Sequence, residues 1–179
     1  MEGGSLPPRA GIGRGSFLSR IAVISDTHLP RGTRALPDEC MRRLADADLV
    51  LHAGDFVSTQ FLEELKRIGP RVEGVYGNMD EAALKAALPK QRVVEVESVR
   101  IGIVHDAGPR VGREARLAAR FEDCGAVIYG HTHVPQVERF QHLWILNPGS
   151  PTERRSAPVH SMLILRLKAR RITPELVNL

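Results

Sequence analysis

The chain is poor in aromatics and cysteines and has no long apolar run. Aromatic residues make up 4% of its 179 positions, too few to build the stacking platform on which single-strand nucleic-acid binders lay successive bases. Its two cysteines, Cys40 and Cys124, show no Cys-x-x-Cys spacing, so neither a thiolate zinc knuckle nor a redox pair is indicated. No segment approaches the ~18 apolar residues of a membrane-spanning helix. Residues 1–19, MEGGSLPPRAGIGRGSFLS, carry no secretory apolar core. No Gly-x-x-x-x-Gly-Lys-Ser/Thr loop occurs, which excludes P-loop phosphoryl transfer. Gly11, Gly13 and Gly15 precede the first strand instead of following one, so they read as leader and not as a dinucleotide loop. These absences lead us to expect a cytoplasmic protein with no membrane partner: a flexible N-terminal extension over 1–19, then one domain over 20–179.

Charge of one sign is also scarce where it would matter. The formal net charge is +4, but the first 20 residues hold three Arg against one Glu, and residues 151–179 hold six basic against two acidic side chains. The intervening stretch, 21–150, is left with 16 basic and 18 acidic groups. A peripheral excess of this kind ranks nucleic acid low as a partner.

From residue 20 onward, short β-rich runs alternate with helical patterns. Strands are expected at 20–25 (RIAVIS), 48–52 (DLVLH), 71–76, 91–96, 100–104 and 126–129 (AVIY). Helices are expected at 37–45, 58–68, 81–88 and 112–124, the second with Phe61, Leu62, Leu65 and Ile68 on one face. The tail, at 134–140, 143–146, 159–167 and 172–177, is strand-like without helical period. Alternation over the first 130 residues predicts βαβ units and a mainly parallel sheet, with the all-β tail forming a second sheet beside it. The expected fold class is α/β, a layered sandwich of two mixed sheets flanked by helices.

In open α/β sheets, reactive groups gather where the carboxyl ends of strands give way to loops. Here the successive strand exits read Asp26-Thr27-His28, Gly54-Asp55, Gly77-Asn78-Met79-Asp80, His105-Asp106 and Gly130-His131-Thr132-His133. One Asp-x-His alone would mean little; the recurrence of Asp, His or Asn at every exit is the signal. Oxygen and imidazole ligands from several loops, without thiolate, suit divalent Mn, Fe, Ni or Zn. Seven ligands are too many for one tetrahedral ion but suffice for two ions sharing a carboxylate, an arrangement suited to in-line displacement at phosphorus. Glycines before Asp55, Asn78 and His131 allow sharp turns or close approach.

Taken in order, D-x-H, G-D, G-N-x-D, H and G-H-x-H resemble the calcineurin-like metallophosphoesterases. The small size, Gly77-Asn78-Met79-Asp80 and Asn147-Pro148-Gly149-Ser150 are most similar to the compact bacterial and archaeal phosphodiesterase subfamily. The resemblance implies that Asp26, His28, Asp55 and His133 bind a first ion, and that Asp55 bridges to a second completed by Asn78, His105 and His131. It implies two divalent ions, manganese foremost with nickel, iron or zinc as alternatives, and attack of a metal-bound hydroxide on a small phosphodiester or phosphomonoester. A homodimer or tetramer is compatible with it.

Two positions depart from the pattern. Many larger relatives carry His after the Asn, read as the proton donor to the leaving oxygen, whereas this chain has Met79. The leaving group is then either acidic or protonated through water, with Asp80 as a candidate relay and catalytic residue beside Asp55, Asn78 and His105. Asp106 stands where relatives commonly have Gly; Asp tolerates left-handed geometry, and its carboxylate near the second ion would disfavour highly anionic substrates. His52, inside a strand, reads as a satisfied core histidine, and His142 and His160 as structural or surface groups. Arg110, Arg113, Arg116 and Arg120 read as a solvated helix face, with Arg110, nearest His105, as the exception. The rival to an enzyme is a non-catalytic protein-interaction scaffold, because the same fold also serves as a subunit of the retromer coat.

Overall fold

The structure, a computed structural model, describes residues 19–179. The expected extension up to residue 18, with its three glycines, lies outside the described residues. The elements run β1 (Ser19–Ile24), α1 (Asp38–Ala45), β2 (Leu49–His52), α2 (Thr59–Ile68), β3 (Val72–Gly74), α3 (Ala82–Ala87), β4 (Gln91–Val96), β5 (Val99–Val104), α4 (Arg113–Arg120), β6 (Ala126–Tyr129), β7 (Gln136–Phe140), β8 (Leu143–Asn147), β9 (Ser161–Lys168) and β10 (Arg171–Asn178).

They form two mixed five-stranded sheets, ordered β10-β9-β1-β2-β3 and β4-β5-β6-β8-β7. The period of two along each strand sets the layers. Ile21 and Val23 of β1 face Ile101, Ile103 and Ile128 of the second sheet, while Ala22 and Ile24 face Leu44 of α1 and Leu65 of α2. A third cluster packs Leu117 of α4 against Val127 and Ile145 on the outer face of the second sheet. Each fully buried Leu or Ile contributes roughly 1.5–3 kcal/mol, so the three clusters together hold the layers in order. Among the described residues no helix is long and apolar enough to cross a membrane.

The sandwich is as expected, but its division between sheets is not. The tail does not form a sheet of its own: β9 joins the first sheet antiparallel to β1, with β10 antiparallel to β9 at the edge, and β7 and β8 join β4, β5 and β6. The reason lies in β9, whose Met162 and Ile164 face the helices while Leu163, Leu165 and Leu167 face the other sheet. A strand apolar on both faces needs cover on both, and an interior place supplies it. Helix α4 also stops at Arg120 instead of running to Cys124, because Phe121 leaves helical geometry and is buried against Gly102, where any Cβ would lie 2.5 Å from its ring.

Candidate metal centre

Strands β1, β2 and β3 run parallel in one sheet and β5, β6 and β8 in the other, and the loops leaving them place the expected residues close together. His133 Nε2 stands 3.3 Å from Asp26 Oδ1, His28 Nε2 3.8 Å from Asp55 Oδ2, and His105 Nε2 3.3 Å from Asp55 Oδ2. Asn78 Oδ1 is 3.0 Å from both His105 Nε2 and His131 Nδ1. Asp26, His28 and His133 form one group whose ligand atoms all lie within 4.8 Å, and Asp26, Asp55 and His105 another.

Two atoms bound to one ion at about 2.1 Å stand about 3.0 Å apart at a right angle and about 3.6 Å apart at 120°. The nitrogen-to-oxygen separations fall in or close to that window. His28 Nε2 and His133 Nε2 are buried without a hydrogen-bond partner, and a buried nitrogen left unpaired costs on the order of 1–3 kcal/mol. A cation between them and the carboxylates would satisfy both. The donor set therefore fits divalent metal.

The backbone at these residues is unusual. Asp26, His28, Asp55, His131 and His133 adopt φ of 56°, 47°, 60°, 68° and 60°, the left-handed region that Asp and His enter more readily than most residues, and still at a cost. Hydrogen bonds from several directions hold them there. The His131 N–H donates to both oxygens of Asp26, at 3.2 and 2.9 Å, and the Met79 N–H to Asp55 Oδ1 at 2.7 Å. The neighbouring glycines give room for the carboxylates themselves. A Cβ on Gly77 would lie 2.1 Å from Asp55 Oδ1, and one on Gly130 2.0 Å from Ser25 Oγ and 2.7 Å from Asp26 Oδ2.

The imidazoles are aimed by carbonyls. His105 Nδ1 lies 2.8 Å from Ala53 O and His133 Nδ1 contacts Glu153 O; a carbonyl only accepts, so each Nδ1 carries the proton and each Nε2 lone pair faces the site. The Asn147-Pro148-Gly149-Ser150 turn ties the ligand loops together: Asn147 Nδ2 donates to Gly130 O at 3.0 Å, and Ser150 Oγ to Asp26 O at 2.8 Å. His52 lies beneath, accepting from the Gly54 N–H at 3.1 Å and facing Thr27 Oγ1 at 3.0 Å; it is the satisfied core histidine expected. Burial pushes its pKa down to about 3. Burial alone would raise Asp26, but the His133 and His105 imidazoles and the Ser25 hydroxyl outweigh it and hold the carboxyl below its usual range. For His105 the balance is reversed: burial would lower it, and the Asp55 and Asp26 carboxylates raise it.

Asp80 has a different task from the relay expected of it. Its Oδ2 accepts from the Gly77 and Asp55 N–H groups at 2.7 and 3.2 Å and its Oδ1 from the Val57 N–H at 2.7 Å. Buried and turned into the backbone, it fixes the two ligand loops instead of facing the reacting centre. Asp106 is absent from the left-handed residues; its Oδ1 instead accepts from the Gly108 N–H at 2.7 Å, stabilising the turn. Arg113 and Arg116 are not freely solvated, since they hold the carbonyls of Gly108 and Val111. Arg110 lines a separate cavity of about 420 Å³ with Tyr129 and Thr132. His142 is exposed and His160 half-buried.

A cavity of about 370 Å³ opens beside Asn78, His105 and His131 and is lined by Tyr76, Lys85, Lys90 and Asp106. Sequence reasoning passed over both lysines, which sit in and just after a short helix with no motif to mark them. It also passed over Glu153, whose carboxylate lies 3.6 Å from His28 Nε2 and 3.3 Å from Arg34 Nη1. Only its position next to the Asn147–Ser150 turn could have flagged it.

The sequence profile described as the calcineurin-like phosphoesterase superfamily domain matches residues 20–170. A protein of Methanothermobacter thermautotrophicus named as a probable metallophosphoesterase is 38% identical over 161 residues, covering 88% of this chain and 91% of that protein. A phosphodiesterase of Methanocaldococcus jannaschii is 27% identical over 146 residues, 73% of this chain and 82% of its own length. Among solved structures, a Thermotoga maritima protein shares 33% identity at a TM-score of 0.71, covering 90% of this chain and 99% of that one. Vps29 of Entamoeba histolytica, solved with Zn²⁺, shares the fold at a TM-score of 0.68 with 24% identity, covering 89% and 98%.

Proposed function

The chain belongs to the calcineurin-like phosphoesterase superfamily, and from that membership we propose that it is a dinuclear metal-dependent phosphodiesterase acting on small phosphodiesters. The observation that carries the reading is the pair of buried, unpartnered Nε2 atoms of His28 and His133, set against the Asp26 and Asp55 carboxylates. Asp26, His28, Asp55 and His133 would hold one ion; Asn78, His105 and His131, with Asp55 shared, would hold the second. Bound divalent ions supply Lewis acidity to the phosphoryl oxygens and bring the pKa of water down toward neutrality. Manganese suits an oxygen- and imidazole-rich set without thiolate.

The protein's own contribution is placement. Carbonyl-fixed tautomers keep the Nε2 lone pairs of His105 and His133 aimed at the ions, and the Asp80 and Ser150 hydrogen bonds keep the loops from relaxing. Lys85 and Lys90 on the cavity wall favour an anionic ester there, against the single opposing carboxylate of Asp106. A volume near 370 Å³ suits a small molecule and not a folded protein. Met79, 52% exposed, has no proton to give, so esters with acidic alcohols are the better substrates. Cys40 and Cys124 are buried and unpaired, as a reducing cytoplasm would keep them.

The test is hydrolysis of bis-p-nitrophenyl phosphate with added Mn²⁺ or Ni²⁺ by the wild type and by Asp55→Ala. We expect metal-dependent turnover in the first and its loss in the second. A correctly folded wild type with no metal-dependent turnover would overturn the proposal and favour a scaffold.

A further inference from the structure

Resting on the metal-centre reading above, the geometry points to Glu153 as a further carboxylate of the first-ion position, held in competition between that ion and Arg34. Glu153 is placed by the ligand loop itself. Ser150 Oγ donates to the Asp26 carbonyl and accepts from the Glu153 N–H at 2.9 Å, while the Glu153 carbonyl receives the His133 Nδ1 proton. The backbone of this residue thus contacts one expected ligand, His133, directly and is linked to a second, Asp26, through the Ser150 hydroxyl. Its side chain then turns toward a third, with Oε2 3.6 Å from His28 Nε2. That separation lies between the 3.3 and 3.8 Å of the expected ligand pairs. His28 Nε2 is 2% exposed at its side chain, has no hydrogen-bond partner and is directed into the same space.

The tight group of Asp26, His28 and His133 leaves Glu153 out, and Arg34 supplies the reason. Its Nη1 lies 3.3 Å from the same Oε2 that faces His28, so one oxygen serves two electropositive neighbours. A divalent ion carries the larger charge, and a modest rotation of the side chain takes the oxygen from the guanidinium toward it. A third carboxylate added to Asp26 and Asp55 brings the first position to five protein side chains. That number exceeds the four of a tetrahedral zinc site and suits a metal of higher coordination number, such as manganese. Arg34 then opposes first-ion binding by occupying the oxygen and by its own charge.

The experiment is Mn²⁺ titration of the full chain stripped with chelator, free ion being read by its electron paramagnetic resonance signal, for wild type, Glu153→Gln, Arg34→Ala and Asp55→Asn. Glu153→Gln keeps the backbone contact to His133 and should weaken one of two Mn²⁺ sites by about 10- to 100-fold. Arg34→Ala should bind at least as tightly as wild type. A purely structural ion pair moves both variants in the same direction, so weakening in both, or wild-type affinity in Glu153→Gln, overturns the inference. If the wild type binds two ions in an Asp55-dependent way while Glu153→Gln is unaltered, the inference alone fails. If the wild type binds none, the metal-centre reading fails with it.

Discussion

Replacing Gly77 by alanine tests whether the position of Asp55, rather than the mere presence of its carboxylate, carries the chemistry. An added Cβ would stand 2.1 Å from Asp55 Oδ1, 2.5 Å from Asp55 N and 2.7 Å from Asp55 Cγ, whereas Cβ contacts essentially never fall under 3.0 Å. One of the two loops must therefore give by about 1 Å, a misplacement that can cost about 10²-fold in rate. The loops cannot slide apart freely. The Gly77 N–H donates to Asp80 Oδ2 at 2.7 Å and the Met79 N–H to Asp55 Oδ1 at 2.7 Å, so the shift stretches both bonds. We expect kcat/KM on an aryl phosphodiester at saturating Mn²⁺ to fall about 100-fold, equivalent to about 2.7 kcal/mol. The control is Gly112→Ala, which strains a φ of 69° at the start of α4 for about 1–2 kcal/mol of stability and should leave kcat/KM within about twofold. A folded Gly77→Ala protein with near-wild-type kcat/KM would refute the argument.

Four further outcomes can be checked. His52, pushed down to about 3 by burial from 6.5, refuses a proton that the unfolded chain accepts, so its contribution is whole above pH 6.5 and lost toward pH 3. Between about pH 7 and pH 5 this group removes about 2 kcal/mol; denaturant titrations of chelated wild type and His52→Gln should differ by that amount, and equal slopes would exclude the mechanism. Met79→His should raise turnover of alkyl diesters by about 10- to 100-fold while aryl diesters change little, and equal gains on both would show that no acid was missing. Lys90→Ala should raise KM several-fold with kcat nearly unaltered, as loss of uniform binding does; an unchanged KM would place the substrate elsewhere. Chelation should lower the melting temperature and Mn²⁺ restore it in the wild type but not in Asp55→Ala, whereas a metal-independent melting curve would contradict a site built around cations.

How much of this was legible in the sequence follows from what each residue's identity encodes. The recurrence of Asp, His and Asn at successive strand exits marked the residues that the structure brings together, because parallel strands send their carboxyl ends the same way. The sheet order was less legible: β9 pairs with β1 across about 140 intervening residues, and its two-sided apolar pattern says that it is interior without saying where. Asp80 shows the limit of motif reading. Next to Asn78 and Met79 it looks like a member of the reacting set, yet three backbone N–H groups claim its oxygens. Glu153 shows the converse, since its nearness to His28 arises from a loop closing back on β1 and has no counterpart in local spacing.

Fold alone does not separate enzyme from scaffold, because one architecture hosts many functions. The distinction has to come from what the site costs. Five of the expected ligands hold left-handed backbone, at roughly 1–2 kcal/mol apiece. Asp26 and Asp55 are buried, and His28 and His133 each leave a buried nitrogen unpaired. In a protein whose net stability is typically about 5–15 kcal/mol, such an arrangement is a heavy expense for a surface that only docks a partner. Two divalent ions, as proposed, would give the buried carboxylates and unpaired nitrogens a ligand contact and would outweigh the two carboxylates in charge. They would also relocate the functional positive charge: the basic excess of the chain lies toward its ends, while an anionic phosphoester would be drawn by cations held among the carboxylates of the middle of the sequence.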